Sequence, residues 1–198
     1  MHAPIRKHLQ TLQDLLQRFI DSHSAGLLQA AQWITEAFAR GNKLMLMGNG
    51  GSAADAQHLA AEFVNRFLLD RPPLPALALS TDTSVLTSIG NDFGFEQIFE
   101  KQVRALGVSG DLLLGISTSG NSPNILRGFQ AAREKAIRTI ALAGHDGGAM
   151  ISWADLSLVV PSDQTPRIQE VHTFIGHLLC ELVETALYAT KPEGADNA

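Results

Sequence analysis

Five short apolar runs recur along this chain, each about the length of a β-strand. Within each run the residues are almost all apolar, without the polar alternation of a strand that has one face in water. Longer segments with apolar residues at helical spacing separate the runs. The runs are KLMLMG, ALALS, DLLLGIS, RTIALAG and LSLVVP, which begin at residues 43, 76, 111, 138 and 156. Strands covered on both faces and joined by helices predict an α/β fold, a doubly wound parallel sheet of five strands.

Helical spacing also predicts where the helices lie. Between and after the strands we predict helices over 52–66, 82–89, 95–106, 122–136, 147–153 and 166–188. Two further helices are predicted before the first strand, one from Ile5 to Ile20 and one from Leu27 to Phe38, ended by Gly41. These two helices have more apolar surface than one sheet edge can cover, so we expect them to mediate oligomerisation.

The organisation of the chain indicates a single domain. Its 198 residues suffice for one large core, and no internal repeat or long linker divides them. We predict one domain over residues 1–190, which includes an N-terminal helical segment, 1–41. The last residues, 191–198, are predicted to be a frayed tail.

Charge and composition narrow the possible partners. The net charge of −5 argues against sequence-independent binding to nucleic acid, which needs clustered Lys and Arg. No run approaches the roughly 18 apolar residues of a membrane helix, and the N-terminus lacks the apolar centre of a signal peptide. The single cysteine, Cys180, cannot form a disulfide within the chain and lies in an apolar run. We therefore predict a buried free cysteine in a reducing compartment. We therefore expect a cytoplasmic protein with neither a nucleic-acid nor a membrane partner.

In a doubly wound sheet, ligands bind outside the carboxyl ends of the strands. We therefore expect the functional site among the loops that follow the predicted strands. Those loops are Gly48–Ser52, Ser80–Asp82, Ser117–Ser122 and Gly144–Gly148.

The first of these loops, GNGGSA, fits the G-x-G-x-x-A pattern of dinucleotide-binding proteins. That pattern also needs an acidic residue at the end of the second strand, about 20 residues further on, to bind a ribose. Asp70 has the right distance but does not end a strand, and Asp82 lies too far along the chain. The loop by itself therefore leaves both a dinucleotide site and a structural turn open.

The loop ISTSGNSPN follows the third strand and begins a helix. Hydroxyl groups and free backbone N–H groups at a helix N-terminus can bind a phosphate dianion. Since the loop has no Lys, it is not a triphosphate-binding loop, and a monophosphate fits better. A turn that only caps the helix is the alternative, but the number of hydroxyls favours phosphate. These hydroxyls belong to Ser117, Thr118, Ser119 and Ser122.

Two predicted helices carry polar residues among small apolar ones. His58 and Glu62 follow the first loop at a spacing of i and i+4, and therefore share a helix face. The last helix carries Gln169, His172 and His177. A solvated His–Glu pair and core histidines would account for these residues, but their convergence would make a zinc site with N and O donors. Gln169 and His177 are about 12 Å apart along a helix, so both reach one ion only with extended side chains. Helix spacing does not decide between His172 and His177 as the ligand.

Four segments together resemble the sugar isomerase (SIS) family, and within it the sedoheptulose 7-phosphate isomerases. They are GNGGSAADAQHLAAE, SIGNDFGFEQIF, GISTSGNSPN and RIQEVHTFIGH. The resemblance extends to about Leu187 and implies a SIS domain of flavodoxin-like topology, assembled as a homotetramer with active sites at subunit junctions. It also implies an enzyme that converts sedoheptulose 7-phosphate into D-glycero-D-manno-heptose 7-phosphate. This reaction is the first step toward ADP- or GDP-heptose for lipopolysaccharide and other surface glycans.

The resemblance implies roles for single residues as well. Glu62 would be the catalytic base and His177 the acid, so the family pattern selects His177 over His172. One Zn²⁺ per subunit would be bound by His58, Glu62, Gln169 and His177. The substrate-binding positions would be Asn49, Gly50, Gly51, Ser52, Glu62, Arg66, Asn91, Asp92, Ser117, Thr118, Ser119, Ser122 and Gln169.

Other functions share parts of this pattern. A non-catalytic SIS-fold tetramer that binds the replication initiator protein DnaA has the same serine-rich loop and RIQE motif, but it replaces the Glu and the last His of the catalytic set. Because this chain has Glu62 and His177, the resemblance favours the enzyme. A SIS isomerase of pentose or amino-sugar phosphates is a further alternative, against which the metal set on the RIQEVH helix argues. A dinucleotide site would explain neither the serine-rich loop nor the second polar helix.

Overall fold

The computed structural model describes residues 2–189 and has one parallel β-sheet. Its strands are β1 (Leu44–Gly48), β2 (Ala76–Ala78), β3 (Leu112–Ser117), β4 (Arg138–Gly144) and β5 (Leu156–Val160). They lie in the order β2-β1-β3-β4-β5, and every neighbouring pair is parallel. The predicted doubly wound sheet of five strands is therefore confirmed. The predicted tail, 191–198, lies outside the described residues.

Helices cover both faces of the sheet. Within residues 2–189 they are α1 (His2–Ala39), α2 (Gly51–Val64), α3 (Thr83–Phe93), α4 (Ile98–Leu106), α5 (Pro123–Glu134) and α6 (Thr165–Tyr188). Short 3₁₀ turns lie at Phe95–Gln97 and Gly148–Ser152. Helices α1, α2 and α6 pack on one face of the sheet, whereas α3, α4 and α5 pack on the other. None of these helices is long and apolar enough to span a membrane, as far as the described residues extend.

Burial on both faces explains why the strands are uniformly apolar. Alternate residues of a strand point to opposite faces. In β1, Leu44 and Leu46 belong to the core under α1, α2 and α6, whereas Met45 and Met47 belong to the core under α4 and α5. Every residue of β1 and β3 is buried. The central strands therefore have no position that a polar side chain would favour.

The prediction of two separate N-terminal helices is wrong, because α1 runs unbroken over 38 residues. The polar stretch between the two predicted helices is an exposed part of its surface and contains no Pro. There, Ser22 donates its hydroxyl to the carbonyl of Arg18 at 2.7 Å, a bond that fits inside a continuous helix. A Cβ at Gly26 would lie 3.1 Å from Leu158 of β5. This glycine therefore marks close packing on the sheet and not a helix end.

The first turns of α1 are poorly covered. The helix is about 57 Å long at 1.5 Å per residue, nearly three times the roughly 20 Å that a six-residue strand spans. Burial along α1 begins only at Leu15, and Ile5 and Leu9 are 67% and 56% exposed. The chain therefore leaves an apolar helix surface open at its N-terminal end.

Candidate active site

Helices α2 and α6 lie side by side and run in the same direction. Both follow strands of one parallel sheet and cover the same face, so their parallel course is a consequence of the topology. Thr173 donates its hydroxyl to Asp55 at 3.0 Å, and further along the pair His58 meets His177. Gly176 permits this close approach, because a Cβ there would collide with a leucine of α2. Residues of α2 and α6 that are 118 or 119 positions apart in the sequence are therefore in contact.

Three side chains of these helices form a cluster that we call the His–Glu cluster. Nε2 of His58 lies 2.9 Å from Nε2 of His177 and 3.7 Å from Oε1 of Glu62. The two imidazole rings meet edge to face, and Phe67 packs on His177 with ring centroids 5.4 Å apart. The side chain of His58 is 48% exposed and that of Glu62 24%, so the cluster is accessible to a ligand. A carboxylate and two imidazoles, groups that serve as acids and bases in catalysis, therefore lie together.

The His–Glu cluster has donor atoms of the kind that bind zinc. Ligand atoms about 2.0–2.1 Å from a tetrahedral zinc ion lie about 3.3 Å apart. The spacings of 2.9 Å and 3.7 Å bracket that value. No group of three His, Cys, Asp or Glu in residues 2–189 already has metal-binding geometry. The donor set therefore fits a zinc ion in the kind of ligand atom it offers.

Gln169, the fourth predicted ligand, lies at the other end of the α2–α6 pair. Its side-chain amide covers Gly51, at which a Cβ would collide with that amide. Gly51 begins α2, about two helical turns before His58. The structure therefore brings three of the four predicted zinc ligands together and leaves Gln169 beside the first loop.

His172 is a core residue. Five positions on a helix turn the side chain by about 140°, so His172 and His177 point to different neighbours. His172 is 1% exposed, and its Nε2 donates to the carbonyl of Ala143 in β4 at 3.2 Å. Its Nδ1 is buried without a hydrogen-bond partner among the described residues. Burial lowers the pKa of His172 to about 4, although the bond to Ala143 opposes this shift.

The pKa of His172 predicts a loss of stability in mild acid. Between about pH 6.5 and 4 the unfolded chain binds a proton at this residue and the native protein does not. The free energy of unfolding therefore falls as the pH is lowered through this window, by about 2 kcal/mol from pH 7 to pH 5. Urea unfolding at both pH values should show a smaller loss in His172→Gln than in the wild type. The exposed control His2→Gln should lose as much stability as the wild type. An equal loss of stability in His172→Gln would contradict the prediction.

The serine-rich loop after β3 is held by its own hydroxyl groups. Oγ of Ser117 accepts from the backbone N–H of Gly120 at 3.1 Å and lies 3.2 Å from Oγ of Ser122. Oγ of Ser119 accepts from the backbone N–H of Asn121 at 3.3 Å. Ser122 is the N-cap residue of α5, yet its hydroxyl makes no capping bond to the helix. That hydroxyl is therefore available to an anion at the helix N-terminus.

Two contacts join this loop to its neighbours. The backbone oxygen of Thr118 packs against Gly144 at the end of β4, where a Cβ would collide with it. The side-chain amides of Asn49 and Asn124 exchange two hydrogen bonds of 2.9 Å, which link the first loop to the serine-rich loop. Asn124 is 2% exposed and is not among the site residues predicted from the sequence. In the sequence Asn124 is an asparagine in the first turn of a predicted helix, where a polar side chain commonly faces water. This position gave no reason to predict a buried contact.

The first loop does not have the surroundings of a dinucleotide site. Gly50 adopts φ +56° as the chain turns into α2, and Ser52 is 4% exposed, with its backbone N–H bonded to the carbonyl of Asn49 at 3.0 Å. Asp82 accepts from the backbone N–H of Val85 and caps α3, so its carboxylate has a structural role. The loop is therefore a tight turn beside the serine-rich loop, with no acidic partner for a ribose at the next strand.

Two predicted substrate-binding residues, Asn91 and Asp92, lie away from the His–Glu cluster. Asn91 and Asp92 are exposed on α3, in the opposite helical layer, and Asn91 donates to Asp92 at 2.7 Å. Arg66 is exposed on the segment that follows α2. Within one chain, the structure does not bring Asn91 or Asp92 to the other predicted site residues.

Comparison with known proteins finds relatives over nearly the whole chain. The family model described as SIS domain matches residues 7–144. Phosphoheptose isomerase from Nitratidesulfovibrio vulgaris (strain Miyazaki F) is 52% identical over 184 residues, which are 93% of this chain and 88% of that protein. Phosphoheptose isomerase from Pelobacter propionicus is 61% identical over 160 residues, which are 81% of this chain and 84% of that protein.

A solved structure agrees with these similarities. The structure of phosphoheptose isomerase from Neisseria gonorrhoeae superimposes with a TM-score of 0.87 at 42% identity, and the match covers 93% of this chain and 98% of that one. Matches of this coverage extend past residue 144 into α6, the helix that carries His177.

Proposed function

This chain belongs to the SIS domain family, and we propose that it is a phosphoheptose isomerase, which converts sedoheptulose 7-phosphate into D-glycero-D-manno-heptose 7-phosphate. The observation that carries the proposal is the His–Glu cluster, in which Glu62 and His177 from distant parts of the chain both lie against His58. Relatives that cover most of the chain and are named for this activity support it. The product would enter the synthesis of nucleotide-activated heptose for lipopolysaccharide and other glycans.

The isomerisation needs a base beside one carbon and an acid beside the carbonyl oxygen. In the proposed reaction, Glu62 takes a proton from C1 of the ketose while His177 delivers a proton to the C2 oxygen, which gives an enediol. A proton then returns to C2 while O1 loses its hydrogen, and C1 becomes the aldehyde. C1 and O1 each lose a proton while O2 and C2 each gain one, so the composition of the substrate is unchanged. The oxidation of C1 is balanced by the reduction of C2, and no external oxidant or reductant takes part.

The phosphate would be bound by the serine-rich loop. Hydroxyls of Ser119 and Ser122 and the N-terminus of α5 offer donors to a dianion. A seven-carbon chain with a terminal phosphate is roughly 10 Å long. The His–Glu cluster begins about 10 Å along α2 from Gly51 in the first loop, and the Asn49–Asn124 pair joins that loop to the serines. The remote phosphate contacts would place the reacting carbons at Glu62 and His177.

We also propose that His58, Glu62 and His177 bind one Zn²⁺ per subunit, with Gln169 as the fourth ligand. Support comes from the N and O donors that converge in the His–Glu cluster. Such an ion would stabilise negative charge that develops on the substrate oxygens. Gln169 would need to turn from Gly51 toward the cluster to complete the set.

Removal of the metal tests this proposal. We expect protein purified without added zinc to contain zinc by elemental analysis, because the donor set is suited to it. Chelation should lower the isomerase activity at least about tenfold, and added Zn²⁺ should restore it. Metal-free protein whose turnover does not respond to Zn²⁺ would refute the zinc site and leave the proton-transfer roles to be tested separately.

The proposed enzyme acts as a homotetramer in the cytoplasm. The apolar surface at the start of α1, with Ile5 and Leu9 exposed, is suited to contact between subunits. An active site at a subunit junction would also give Asn91 and Asp92 access to substrate bound by a second chain. Cys180 is buried, as expected for a free cysteine in a reducing compartment.

The non-catalytic alternative, a tetramer that binds the replication initiator DnaA, is not favoured. Such proteins lack the Glu and the last His of the catalytic set, whereas Glu62 and His177 are present here and meet through His58. The relatives reported above are also named as isomerases.

A coupled assay with several sugar phosphates tests the proposed function. We expect turnover of sedoheptulose 7-phosphate to exceed that of pentose 5-phosphates and hexose 6-phosphates at least about tenfold, since the spacing from phosphate to carbonyl selects chain length. Turnover of a pentose phosphate alone would indicate another isomerase of this family. No turnover of any sugar phosphate, with zinc supplied, would refute the enzymatic proposal.

A further inference from the structure

A buried ion pair lies just beyond the His–Glu cluster and joins α6 to the segment that follows α2. Nε of Arg71 donates to Oε1 of Glu184 at 2.9 Å, and both side chains are 2% exposed. Glu184 lies on α6 about two turns after His177. Arg71 follows α2 by only a few residues. Neither residue is among the site residues predicted from the sequence, and neither takes part in the proposed proton transfers.

The carboxylate of Glu184 binds the chain that follows α2. It accepts hydrogen bonds from three successive backbone N–H groups, those of Phe67, Leu68 and Leu69, at 3.1, 2.7 and 2.8 Å. Burial alone raises the pKa of Glu184, but these bonds and the bond from Arg71 outweigh it, and the pKa is lowered. The carboxylate is therefore charged at neutral pH and orders this segment.

The guanidinium of Arg71 caps the end of α2. It donates to the backbone carbonyl of Phe63 at 2.7 Å and to that of Glu62 at 2.9 Å. The last carbonyls of a helix have no partner within the helix, so a buried side chain that binds them fixes where the last turn lies. One of these carbonyls belongs to the residue proposed as the catalytic base.

The same segment reaches the proposed acid. Phe67, whose N–H binds Glu184, packs its ring on the imidazole of His177. Arg66, a predicted substrate contact, is its neighbour in the chain. We propose that Arg71 and Glu184 are positioning residues for the isomerisation, which hold the end of α2 at Glu62 and the ring of Phe67 on His177 in one geometry. This inference rests on the proposed function.

A second buried carboxylate of the same kind provides a matched control. Asp111 is 1% exposed and accepts from the backbone N–H groups of Lys43 and Val108 at 3.0 and 2.9 Å, and from Nζ of Lys43 at 2.5 Å. It lies at the amino ends of β1 and β3, the opposite edge of the sheet from the loops of the site. Its loss disturbs a comparable network without touching α2 or α6.

The test compares Glu184→Gln with Asp111→Asn in the full-length protein. Four N–H groups donate to the carboxylate of Glu184. A glutamine amide has an NH₂ group that donates and only one oxygen that accepts, so it cannot satisfy all four, and the segment after α2 loses its anchor. We expect kcat for sedoheptulose 7-phosphate to fall at least about tenfold in Glu184→Gln. KM should change less than kcat, because the substitution leaves the serine-rich loop intact. Hydrogen exchange should rise in the peptide that contains Phe67, Leu68 and Leu69. Asp111→Asn should keep kcat within about twofold of the wild type.

Phe67→Leu is the second variant, and it applies even where Glu184→Gln does not fold. It keeps the ion pair but removes the aromatic ring from His177, and we expect kcat to fall at least about threefold. Unchanged kcat in Phe67→Leu, or equal losses of kcat in Glu184→Gln and Asp111→Asn, would overturn the positioning role. If the wild type has no isomerase activity, the proposed function is refuted. The anchoring role is still tested in that case, because unchanged hydrogen exchange at residues 67–69 in Glu184→Gln would overturn it.

Discussion

Replacement of Glu62 by Gln is expected to lower kcat at least about 100-fold while the protein folds and still binds substrate. Glutamine keeps the shape of the side chain, but its amide cannot take a proton from carbon. Glu62 is partly exposed and lies 3.7 Å from His58, so the substitution leaves no buried charge without a partner. Steady-state kinetics with sedoheptulose 7-phosphate, together with circular dichroism of the variant, measures the effect.

Two controls separate the base from the other roles of Glu62. Glu181→Gln, at an exposed position of α6, should keep the wild-type kcat. Elemental analysis of Glu62→Gln shows whether its metal content has also fallen, in which case activity is compared at saturating Zn²⁺. A variant with full metal content and near-normal kcat would remove Glu62 from the role of base.

The double variant Ser119→Ala, Ser122→Ala is expected to raise KM for sedoheptulose 7-phosphate about 100-fold or more. A hydrogen bond to a charged group contributes about 1.5–3 kcal/mol, so two lost bonds to the phosphate exceed the roughly 2.7 kcal/mol that corresponds to a factor of 100. Ser117 is left intact, because its Oγ accepts from Gly120 and its loss would disturb the loop itself. Initial rates over a range of substrate concentrations give the change in KM.

The unphosphorylated sugar is the decisive comparison for this loop. Sedoheptulose lacks the dianion, so the double variant and the wild type should convert it at similar, low efficiency. Ser22→Ala, on the exposed surface of α1, controls for the loss of a serine hydroxyl elsewhere. Equal losses for the phosphorylated and unphosphorylated sugars would count against a phosphate site at Ser119 and Ser122.

The strands and most helix positions were predictable because their signals are local. Every residue of β1 and β3 is buried on a two-sided sheet, so the apolar runs identify these strands without knowledge of their neighbours. The helix predicted over 166–188 is observed as Thr165–Tyr188 for the same reason. The break predicted inside α1 was wrong, because the polar residues between Ile20 and Leu27 lie on the exposed surface of one continuous helix.

The candidate site was predictable in part. Residue type and spacing pointed to His58, Glu62 and the hydroxyls after β3, but helix spacing left His172 and His177 as equal candidates. In the structure His172 contacts β4 and His177 contacts α2, because the two side chains leave α6 in different directions. Gln169 covers Gly51 for a similar reason, since it precedes His177 by about two turns.

By itself, the sequence determined the α/β class, the places of the strands and the loops that follow them, because each depends on a few neighbouring residues and their burial. Tertiary structure alone decided the pairing of α2 with α6, the Asn49–Asn124 link and the network of Arg71 with Glu184. These contacts join residues 75 to 119 positions apart. Only the packing of helices on a common sheet face brings such residues together, and no local pattern of residue types records which faces meet.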